Sequence, residues 1–519
     1  MTVIQKARPD GQCHSDKDDG KSTGIEISSG LFFLLRNFKK GLTSQGKCAA
    51  AFATELKKSV AKAALESRYE PDFKEGTTVK YSIWIKDKLL SLIKEMDHYH
   101  WLFTRNAEKD FSRVKKWSFG EIIRFIISME GKSLKDELLE HFNFSNETPT
   151  NSSFNQRRAQ ILPDAFEFLF HEFSQYVSKE HLFRGYRLLA CDGSVLTTAP
   201  NPQDEAAYIQ CTPDSKGYNQ LHLSALYDLQ TRTYVDAVIH PIRHANENKD
   251  MCDMVDRYRG CHKTIFIADR GYESYNTLAH VQEKGMYFLI RVKDITSKGG
   301  MVLSMLHNLP EHPDSFDKSL TITLTRKQTK EVKAVPGQYR FLPSSTVFDF
   351  LDLYFHQFYE IKFRVVRFPV SDNTFECVVT NLPSEDFALE DIKKLYEMRW
   401  GIETSFRELK YSIGLTNFHS KKPDYIIQEI WARLILYNFC ETIISHTVIK
   451  QSCRKRIHLY QLNYARAIYI CRFFLSIRKE APPDVVFLIS RELLPVRPGR
   501  SDPRKVKFQS AVSFLYRVA

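Results

Sequence analysis

Two hydrophobic periods follow one another along the chain, and each predicts a different kind of fold. Between residues 76 and 180 the apolar positions recur every three or four residues, which predicts short amphipathic helices. Ser118 and Ser133 stand at the N-cap positions of two of these helices. From residue 181 the period becomes that of strands, so we expect a helical domain followed by an α/β domain.

A third helix of the helical stretch is predicted to start at Ser152 or Ser153 and to carry basic residues on its outer face. Helix-turn-helix proteins place such a helix in the major groove of DNA, which makes Arg157 and Arg158 candidate DNA-binding residues. The alternative, an ordinary helical packing domain, fits the same pattern equally well.

The α/β stretch reads β-β-β-α-β-α-β, and two aspartates follow strands in it. Asp192 comes after the strand predicted at 187–191, and Asp269 comes after the strand predicted at 264–268. Open α/β sheets bind ligands at strand ends, so both are candidate site residues. Each also has a structural interpretation, because Asp192-Gly193 is a turn dipeptide and Asp269 could cap the turn after its strand.

Changes in periodicity give the remaining boundaries. Residues 293–375 break the α/β rhythm and contain strands separated by Pro, Ser and Asp turns, which predicts a β-rich insertion. The predicted segments are a poorly patterned extension (1–75), a helical DNA-binding domain (76–180), the first part of an α/β core (181–292), the insertion (293–375), the second part of the core (376–450) and a basic helical C-terminal region (451–519).

A helix predicted at residues 391–412 places several polar residues on one face. Its face carries Tyr396, Arg399, Glu403 and Lys410, with Arg407 beside them, next to a separate apolar stripe. One carboxylate among cations suits a helix that holds a metal beside a phosphate backbone. The alternative is a solvated face on which Glu403 and Arg407 form an ordinary ion pair.

Charge is distributed unevenly along the chain. The net charge is +12 over 519 residues, and residues 393–519 alone hold 23 Lys and Arg against 10 Asp and Glu. A basic C-terminal quarter on a nearly neutral body indicates a polyanionic partner, most simply nucleic acid. A chain of this length is expected to form two to four domains.

The cysteines and the hydropathy indicate a cytoplasmic protein. None of the ten cysteines forms a CxxC pair, so neither a zinc ribbon nor a redox motif is predicted. No uncharged apolar run of 18 residues and no secretory signal are present, so we expect a soluble protein without membrane contact.

Three acidic residues could together carry metal-dependent phosphoryl transfer. This chemistry needs two or three carboxylates that converge on a pair of divalent ions. Mg²⁺ suits such a site because it accepts few carboxylates and keeps water and phosphate oxygens as its other ligands. Asp192, Asp269 and Glu403 are therefore the candidate catalytic and metal-binding residues.

The same residues carry a resemblance to a known family. The chain resembles DDE transposases of the insertion sequence 4 family, whose helix signature Y-x2-R-x3-E-x6-K is met by Tyr396, Arg399, Glu403 and Lys410. Asp192 within CDGS resembles the first aspartate of the family, and Asp269 within ADRGY resembles the second. A β-rich insertion before the glutamate is also a mark of the family. The resemblance spans residues 118–517.

The resemblance implies an RNase H-like catalytic core, a mixed five-stranded sheet with flanking helices, interrupted by the insertion. It implies a bacterial, nucleoid-associated enzyme that excises and inserts its element by strand hydrolysis and strand transfer. Two Mg²⁺ ions, replaceable by Mn²⁺, would be the cofactors. The partners would be double-stranded DNA, as terminal inverted repeats and target, and a second copy of the chain.

The resemblance also assigns phosphate contacts. Tyr396, Arg399 and Lys410 would hold phosphates at the cleaved end, and Trp400 has a family-typical place beside the arginine, where core packing is an equally good explanation. Relatives that form DNA hairpins stack a flipped base on a tryptophan of the insertion, but residues 293–375 contain none. A Phe, Tyr or His would have to take that role.

Two other functions fit parts of the pattern. An RNase H-like nuclease would cut DNA without joining it and would need no module for reading transposon ends. A DNA-binding protein derived from a transposase would show a damaged set of acids, whereas all three are present here.

Overall fold

The structure, a computed structural model, describes only part of the chain. The described residues are 78–113, 116–177, 181–295, 300, 314–335, 337–355, 357–371, 374–447, 459–476 and 483–496, all within one unit, Pro71–Ala519. The predicted extension 1–75 lies outside the described residues. The basic residues 454–456 and the basic tail 497–507 lie outside them as well.

The described helices before the sheet follow the predicted caps closely. They are α1 (Thr78–His98), α2 (Phe119–Ser128), α3 (Leu134–His141), α4 (Asn151–Arg158) and α5 (Asp164–Val177). Ser118 and Ser133 cap α2 and α3 as predicted, each accepting a backbone N–H three residues on. Helix α4 begins earlier than predicted because Thr150, rather than Ser152 or Ser153, is its cap.

The α/β stretch contains the predicted strands and helices. They are β1 (Arg187–Thr198), β2 (Tyr208–Ile209), β3 (Tyr218–Asp228), β4 (Thr233–Pro241), α6 (Glu247–Arg257), β5 (Thr264–Ala268), α7 (Tyr275–Glu283) and β6 (Tyr287–Val292). Strand β1 is longer than predicted because it stays paired with β3 as far as Thr198↔Asn219.

The predicted insertion adds strands to the same sheet. Its elements are β7 (Phe316–Thr325), α8 (Lys330–Ala334), β8 (Tyr339–Phe341), β9 (Phe358–Ser371) and β10 (Thr374–Thr380). Strand β10 pairs with β6 through Cys377↔Val292, and β9 pairs with both β10 and β7. The strands of the insertion therefore extend the main sheet rather than form a separate one.

The resulting sheet is mixed. Its order is β2-β3-β1-β5-β6-β10-β9-β7-β8, with β4 on β3. Strand β1 runs antiparallel to β3 and parallel to β5, and β5 runs parallel to β6. Two parallel neighbours in the centre bring the carboxyl ends of β1 and β5 to the same edge.

Helices cover both faces of the central strands. Because successive side chains of a strand point to opposite faces, Leu189 and Phe266 pack with α6 and α7, whereas Leu188 and Ile265 pack against a helix that follows the insertion. That helix is α9 (Leu389–Met398), followed by α10 (Trp400–Tyr411). The chain is thus an α/β protein with a large mixed sheet between helices.

Residues 391–412, predicted as one helix, are divided at Arg399. This residue keeps helical backbone angles, φ −51° and ψ −33°, but the hydrogen bonds around it span three residues instead of four. Its N–H donates to the Tyr396 carbonyl at 3.0 Å, and the Ile402 N–H donates to the Arg399 carbonyl at 3.1 Å. This tighter 3₁₀ turn changes the angular relation between residues before and after it.

A close approach to the sheet accompanies this turn. A Cβ at Gly401 would lie 2.9 Å from Cδ2 of Leu229, which directly follows β3. Glycine is a poor helix former, but a larger residue there would press on Leu229. Gly401 therefore lets α10 begin close beside the β3–β4 hairpin.

The longest described helix, α11 (Pro423–Ser445), is buried almost along its whole length. Its buried residues include both apolar and charged side chains. Helix α11 contacts α1, α2 and α5 as well as β4 and α10. It is followed by β11 (Leu459–Leu462), α12 (Tyr464–Ser476), α13 (Val485–Arg491) and β12 (Leu493–Val496).

Among the described helices, none combines the length and hydropathy needed to cross a membrane.

Candidate active site

The sheet brings Asp192 and Asp269 side by side. Cys191 and Ala268 are partners in the parallel pair β1–β5, and each aspartate is the next residue of its strand. Neighbouring strands lie about 4.8 Å apart, so the two carboxylates start from adjacent backbone positions. The prediction that these two acids meet at one edge of the sheet is consistent with this register.

The local structure around Asp192 differs from the prediction. Asp192 and Gly193 do not form a turn, because both lie in β1, opposite Ala225 and Ser224 of β3. The strand passes beyond the end of β5, which stops at Ala268. Asp192 is therefore paired with β3 on one side. On its other side β5 has already ended, which leaves the position next to Asp192 unpaired by this strand.

Both aspartates accept hydrogen bonds from nearby backbone. Asp192 Oδ1 accepts the Gly193 N–H at 2.8 Å. Asp269 Oδ1 accepts the Gly271 N–H at 2.8 Å and caps the short 3₁₀ turn Arg270–Tyr272, so its capping interpretation is confirmed. A capping role does not remove Asp269 from the site, because a carboxylate has two oxygens and about four acceptor positions.

Glu403, in the first turn of α10, pairs with the arginine that precedes the helix. Arg399 Nη2 lies 2.8 Å from Glu403 Oε1. The side chain of Arg399 is almost fully buried, whereas Glu403 is 37% exposed. The buried guanidinium thus holds a partly exposed carboxylate in place, while Arg407, the alternative partner expected from the sequence, is exposed.

Electrostatics connect the three acids. Burial, reinforced by the charges of Asp269 and Glu403, raises the pKa of Asp192 to about 6, against the opposing effects of the Gly193 N–H and Arg399. An acid whose ionisation is opposed by two neighbouring carboxylates is one that a cation would stabilise in its charged form. Perturbed carboxyl groups of this kind are concentrated at functional sites.

A divalent cation suits the chemistry of these residues. The three acids offer only carboxylate oxygens, the ligands that Mg²⁺ prefers, and a bound cation would relieve the repulsion among them. Within the described ranges, no three His, Cys, Asp or Glu side chains already stand at metal-binding spacing. The aspartates instead accept backbone N–H groups and the glutamate pairs with Arg399, so metal binding has to replace these bonds in part.

Two residues of the predicted phosphate-binding face are buried. Tyr396 is 2% exposed and Arg399 5%. The guanidinium of Arg399 lies over the Tyr396 ring at 5.5 Å and over the Trp400 ring at 5.2 Å. Direct phosphate contact by Tyr396 and Arg399 conflicts with this burial, because Tyr396 packs in the hydrophobic core on this side of the sheet and the Arg399 guanidinium pairs with Glu403. Their contacts instead support Glu403.

The other residues of that face lie nearer the solvent. Lys410 is half-buried and donates through Nζ to the Val195 carbonyl at 3.0 Å, which ties α10 to β1 three residues after Asp192. Burial lowers the pKa of Lys410. Trp400 is 60% exposed, so the core-packing explanation for it is wrong. Trp400 and Arg407 are therefore exposed residues of the predicted face.

Arg157 and Arg158 do not lie on the outer face predicted for them, and their burial gives no support to the predicted DNA contact. Arg158 is 1% exposed and pairs with Glu429 of α11 at 2.9 Å. Arg157 is 8% exposed and lies over the Phe111 ring at 5.0 Å. The third helix thus fits the alternative, a packing role, because Arg158 pairs with an acid of α11 and Arg157 packs on an aromatic ring.

Glu247 and His222, which the sequence patterns did not indicate, also lie at this edge of the sheet. His222 Nε2 and Glu247 Oε1 are 2.9 Å apart. A Cβ at Gly193 would lie within 3 Å of both side chains. No sequence signal could have found the pair, because an acid in the first turn of a helix and a histidine in a strand are individually common.

Comparisons with known proteins identify related sequences and one solved structure. A family model described as "Transposase DDE domain" matches residues 183–439. Transposase InsG for insertion sequence element IS4, from Escherichia coli (strain K12), is 30% identical over 336 residues, which cover 62% of this chain and 68% of that protein. A cryo-EM structure of the piggyBac transposase synaptic complex with hairpin DNA shares 11% identity at a TM-score of 0.39, over 81% of this chain and 87% of that one.

The matched family region contains all three candidate acids and the strands and helices that hold them. The relative from insertion sequence element IS4 extends the similarity over most of its own length. The chain therefore belongs to the DDE transposases of the insertion sequence 4 type, DNA transposases that use divalent metal ions to cut and join DNA.

Proposed function

We propose that this transposase excises and inserts its element by a cut-and-paste route in which Asp192, Asp269 and Glu403 hold two Mg²⁺ ions. The observation that carries the proposal is the strand register that places Asp192 beside Asp269, together with the influence of Asp269 and Glu403 on the pKa of Asp192. Mn²⁺, which also accepts oxygen ligands, would substitute.

The three acids have different supports. Asp192 is held in β1, which pairs with β3 at this residue and with β5 up to the residue before it. Asp269 is held by the turn that it caps, and Glu403 is held by the buried Arg399. When bound, the ions would supply an activated water or hydroxyl nucleophile and would stabilise the leaving oxygen. The chain itself contributes fixed carboxylates, which lose little conformational entropy when they become ligands.

The central strands support an RNase H-like core as the finer description of the fold. Five strands lie in the order β4-β3-β1-β5-β6, with antiparallel pairing up to β1 and parallel pairing after it. This order places the first aspartate on the central strand and the second on its parallel neighbour. The helix carrying the glutamate follows later in the chain, after the insertion.

DNA would approach along the exposed side of α10. Trp400 offers an aromatic face, and Arg407 and Lys410 offer positive charge on the same helix. Phosphate contacts through such cations supply most of the affinity for DNA and make it dependent on salt. The basic C-terminal region 451–519 would add to this field, and two copies of the chain would hold the two ends of the element.

An exposed aromatic segment in the insertion supports a hairpin step. Tyr354 is 83% exposed and Phe355 63%, in the loop before β9. Either ring could stack on a base flipped out of the helix, which an aromatic face of any kind can do. Replacing both by Ala should reduce hairpin product but not first-strand nicking, with Val347→Ala, also exposed, as the control. Unchanged hairpin yield would assign the flipped base elsewhere.

The experiment that tests the proposed function uses the DNA on either side of the coding region. The purified chain is incubated with a fragment containing these flanks, a target plasmid and Mg²⁺. We expect cuts at the element ends and joined products in the plasmid. Cuts without any joined product would instead identify a nuclease, and mass photometry of the same mixture tests whether two copies occupy the paired ends.

A further inference from the structure

A fourth carboxylate, that of Glu247, lies between the two aspartate motifs. Glu247 is the first residue of α6, whose cap is Asn246. A Cβ at Gly193 would lie 2.5 Å from Glu247 Oε1, and a Cβ at Gly271 would lie 3.3 Å from Glu247 Oε2. Gly193 directly follows Asp192, and Gly271 is the residue whose N–H bonds to Asp269. The two oxygens of Glu247 thus face both motifs, in space that side chains at these glycines would fill.

A chain of hydrogen bonds fixes the orientation of Glu247. Its Oε1 is 2.9 Å from Nε2 of His222, a side chain only 7% exposed in β3. Nδ1 of His222 is 3.3 Å from the Ser224 hydroxyl, which donates to Asp250 Oδ2 at 2.7 Å. His240 Nε2 contacts the other oxygen of Asp250 at 3.0 Å. Glu247 is therefore held by a partner that is itself held by buried groups.

This support also keeps Glu247 charged and accessible. The hydrogen bond to His222 is the main cause that lowers the pKa of Glu247, against the smaller opposing effect of burial. Its side chain remains 39% exposed, in contrast to His222 beneath it. A fixed and solvent-accessible carboxylate near the Asp269 carboxylate, as the positions around Gly271 show, raises the local affinity for a divalent cation.

We propose that Glu247 is a fourth acidic residue of the active site, which strengthens divalent-cation binding on the side of Asp192 and Asp269. His222 is the positioning residue that orients it. The inference rests on the proposed function, because it takes the two aspartates as the metal-binding pair. The competing explanation is that Glu247 only complements the positive end of the α6 dipole, as acids in a first helical turn do.

Calorimetric titration of the full chain with Mn²⁺, without DNA, separates these explanations. Glu247→Gln should weaken Mn²⁺ binding about tenfold, the scale found for residues that support metal ligands. Glu108→Gln removes the same charge at an exposed position away from the sheet and should bind Mn²⁺ like the wild type. If Asp269→Asn binds Mn²⁺ weakly but Glu247→Gln binds it like the wild type, the inference about Glu247 is overturned. Wild-type binding by Asp269→Asn overturns the proposed metal site itself.

A second readout distinguishes a role in metal binding from a role in folding. In cleavage of end DNA, Glu247→Gln and His222→Asn should raise the Mn²⁺ concentration for half-maximal rate several-fold, with a smaller change in the rate at saturation. Glu247→Asp should recover part of the loss. If Glu247→Gln does not fold, as judged by thermal unfolding in EDTA, His222→Asn carries the test. An unchanged half-saturating concentration in His222→Asn would overturn its positioning role.

Discussion

At the scale of one residue, Asp192 lies in a position where the fold opposes the ionisation of its carboxyl group. Its strand ladder and hydrophobic surroundings bury the carboxyl group, and two further acids lie near enough to oppose its ionisation. A buried carboxyl group of this kind either stays protonated or needs a cation to stabilise its charge. The stability of the metal-free protein is therefore informative about the site.

The pKa of Asp192 predicts how stability depends on pH in EDTA. Because the folded-state pKa is about 6 and the ordinary value is 3.8, the stabilisation is complete below about pH 4 and is lost as the pH rises through 6. Asp192→Asn cannot ionise, so it should gain up to about 3 kcal/mol over the wild type between pH 4 and pH 8. Urea unfolding across this range measures the difference.

The matched control for this prediction is Asp214→Asn, at an exposed position. Its difference from the wild type should stay constant over the same range. If the free energy of unfolding of Asp192→Asn also differs from that of the wild type by a constant amount from pH 4 to pH 8, the pKa of Asp192 is not raised and the prediction is contradicted.

Single residues also show what sequence could and could not predict about the site. The aspartates and the glutamate were found because their neighbours form recognisable local patterns. The burial of Tyr396 and Arg399 was not, because it depends on packing against the sheet and on the pairing of Arg399 with Glu403, which helical periodicity does not reveal. The burial of Arg158 was not predicted because its acidic partner, Glu429, lies 271 residues away in the chain, where no local pattern can show it.

At the scale of elements, helix α10 combines support for the proposed site with the surface proposed to meet DNA. Its buried side packs on the β3–β4 hairpin, its first turn carries Glu403, and Lys410 ties its end to β1. The exposed residues Trp400 and Arg407 lie on the same helix. An element fixed at both ends can present a phosphate-binding surface without the entropic cost of ordering a loop.

The exposed position of Arg407 predicts a salt-dependent contribution to DNA binding. Arg407→Ala should weaken binding and reduce the slope of log affinity against log salt by about 0.9, the change for one phosphate contact. Fluorescence anisotropy with end DNA over a salt series measures it. Lys109→Ala, an exposed cation in the helical region, is the control and should leave the slope unchanged. An unchanged slope in Arg407→Ala would remove α10 from the DNA surface.

At the scale of the whole unit, α11 joins the helices before the sheet to the core that holds the acids. Arg158 of α4 donates to Gln428 at 2.8 Å and to the Tyr425 carbonyl at 2.6 Å, besides its ion pair with Glu429. Although burial alone would raise it, Arg158 and His419 hold the pKa of Glu429 at about 2. Local periodicity was enough to predict the strands and helices. The contact between Arg158 of α4 and α11 could not be predicted in this way, because it pairs residues far apart in the chain.

Breaking this joint should destabilise the protein strongly. Arg158→Met leaves Glu429 buried without its main partner, which typically costs about 3 to 5 kcal/mol. Arg105→Ala removes an exposed ion pair to Asp424 at the start of the same helix and should cost at most about 1 kcal/mol. Chemical unfolding followed by tryptophan fluorescence compares them. Equal effects of the two substitutions would contradict the assignment of Arg158 to a structural role.

The central claim is that three acids distant in sequence hold the metal ions that cut DNA. Single-turnover cleavage of end DNA in Mg²⁺ tests it most directly, with Asp192→Asn, Asp269→Asn and Glu403→Gln compared with Glu397→Gln, an exposed position on α9. We predict that each of the first three lowers the cleavage rate about a thousandfold or more while DNA binding persists, and that Glu397→Gln cleaves normally. Wild-type cleavage by any of the three would contradict the site described for that residue.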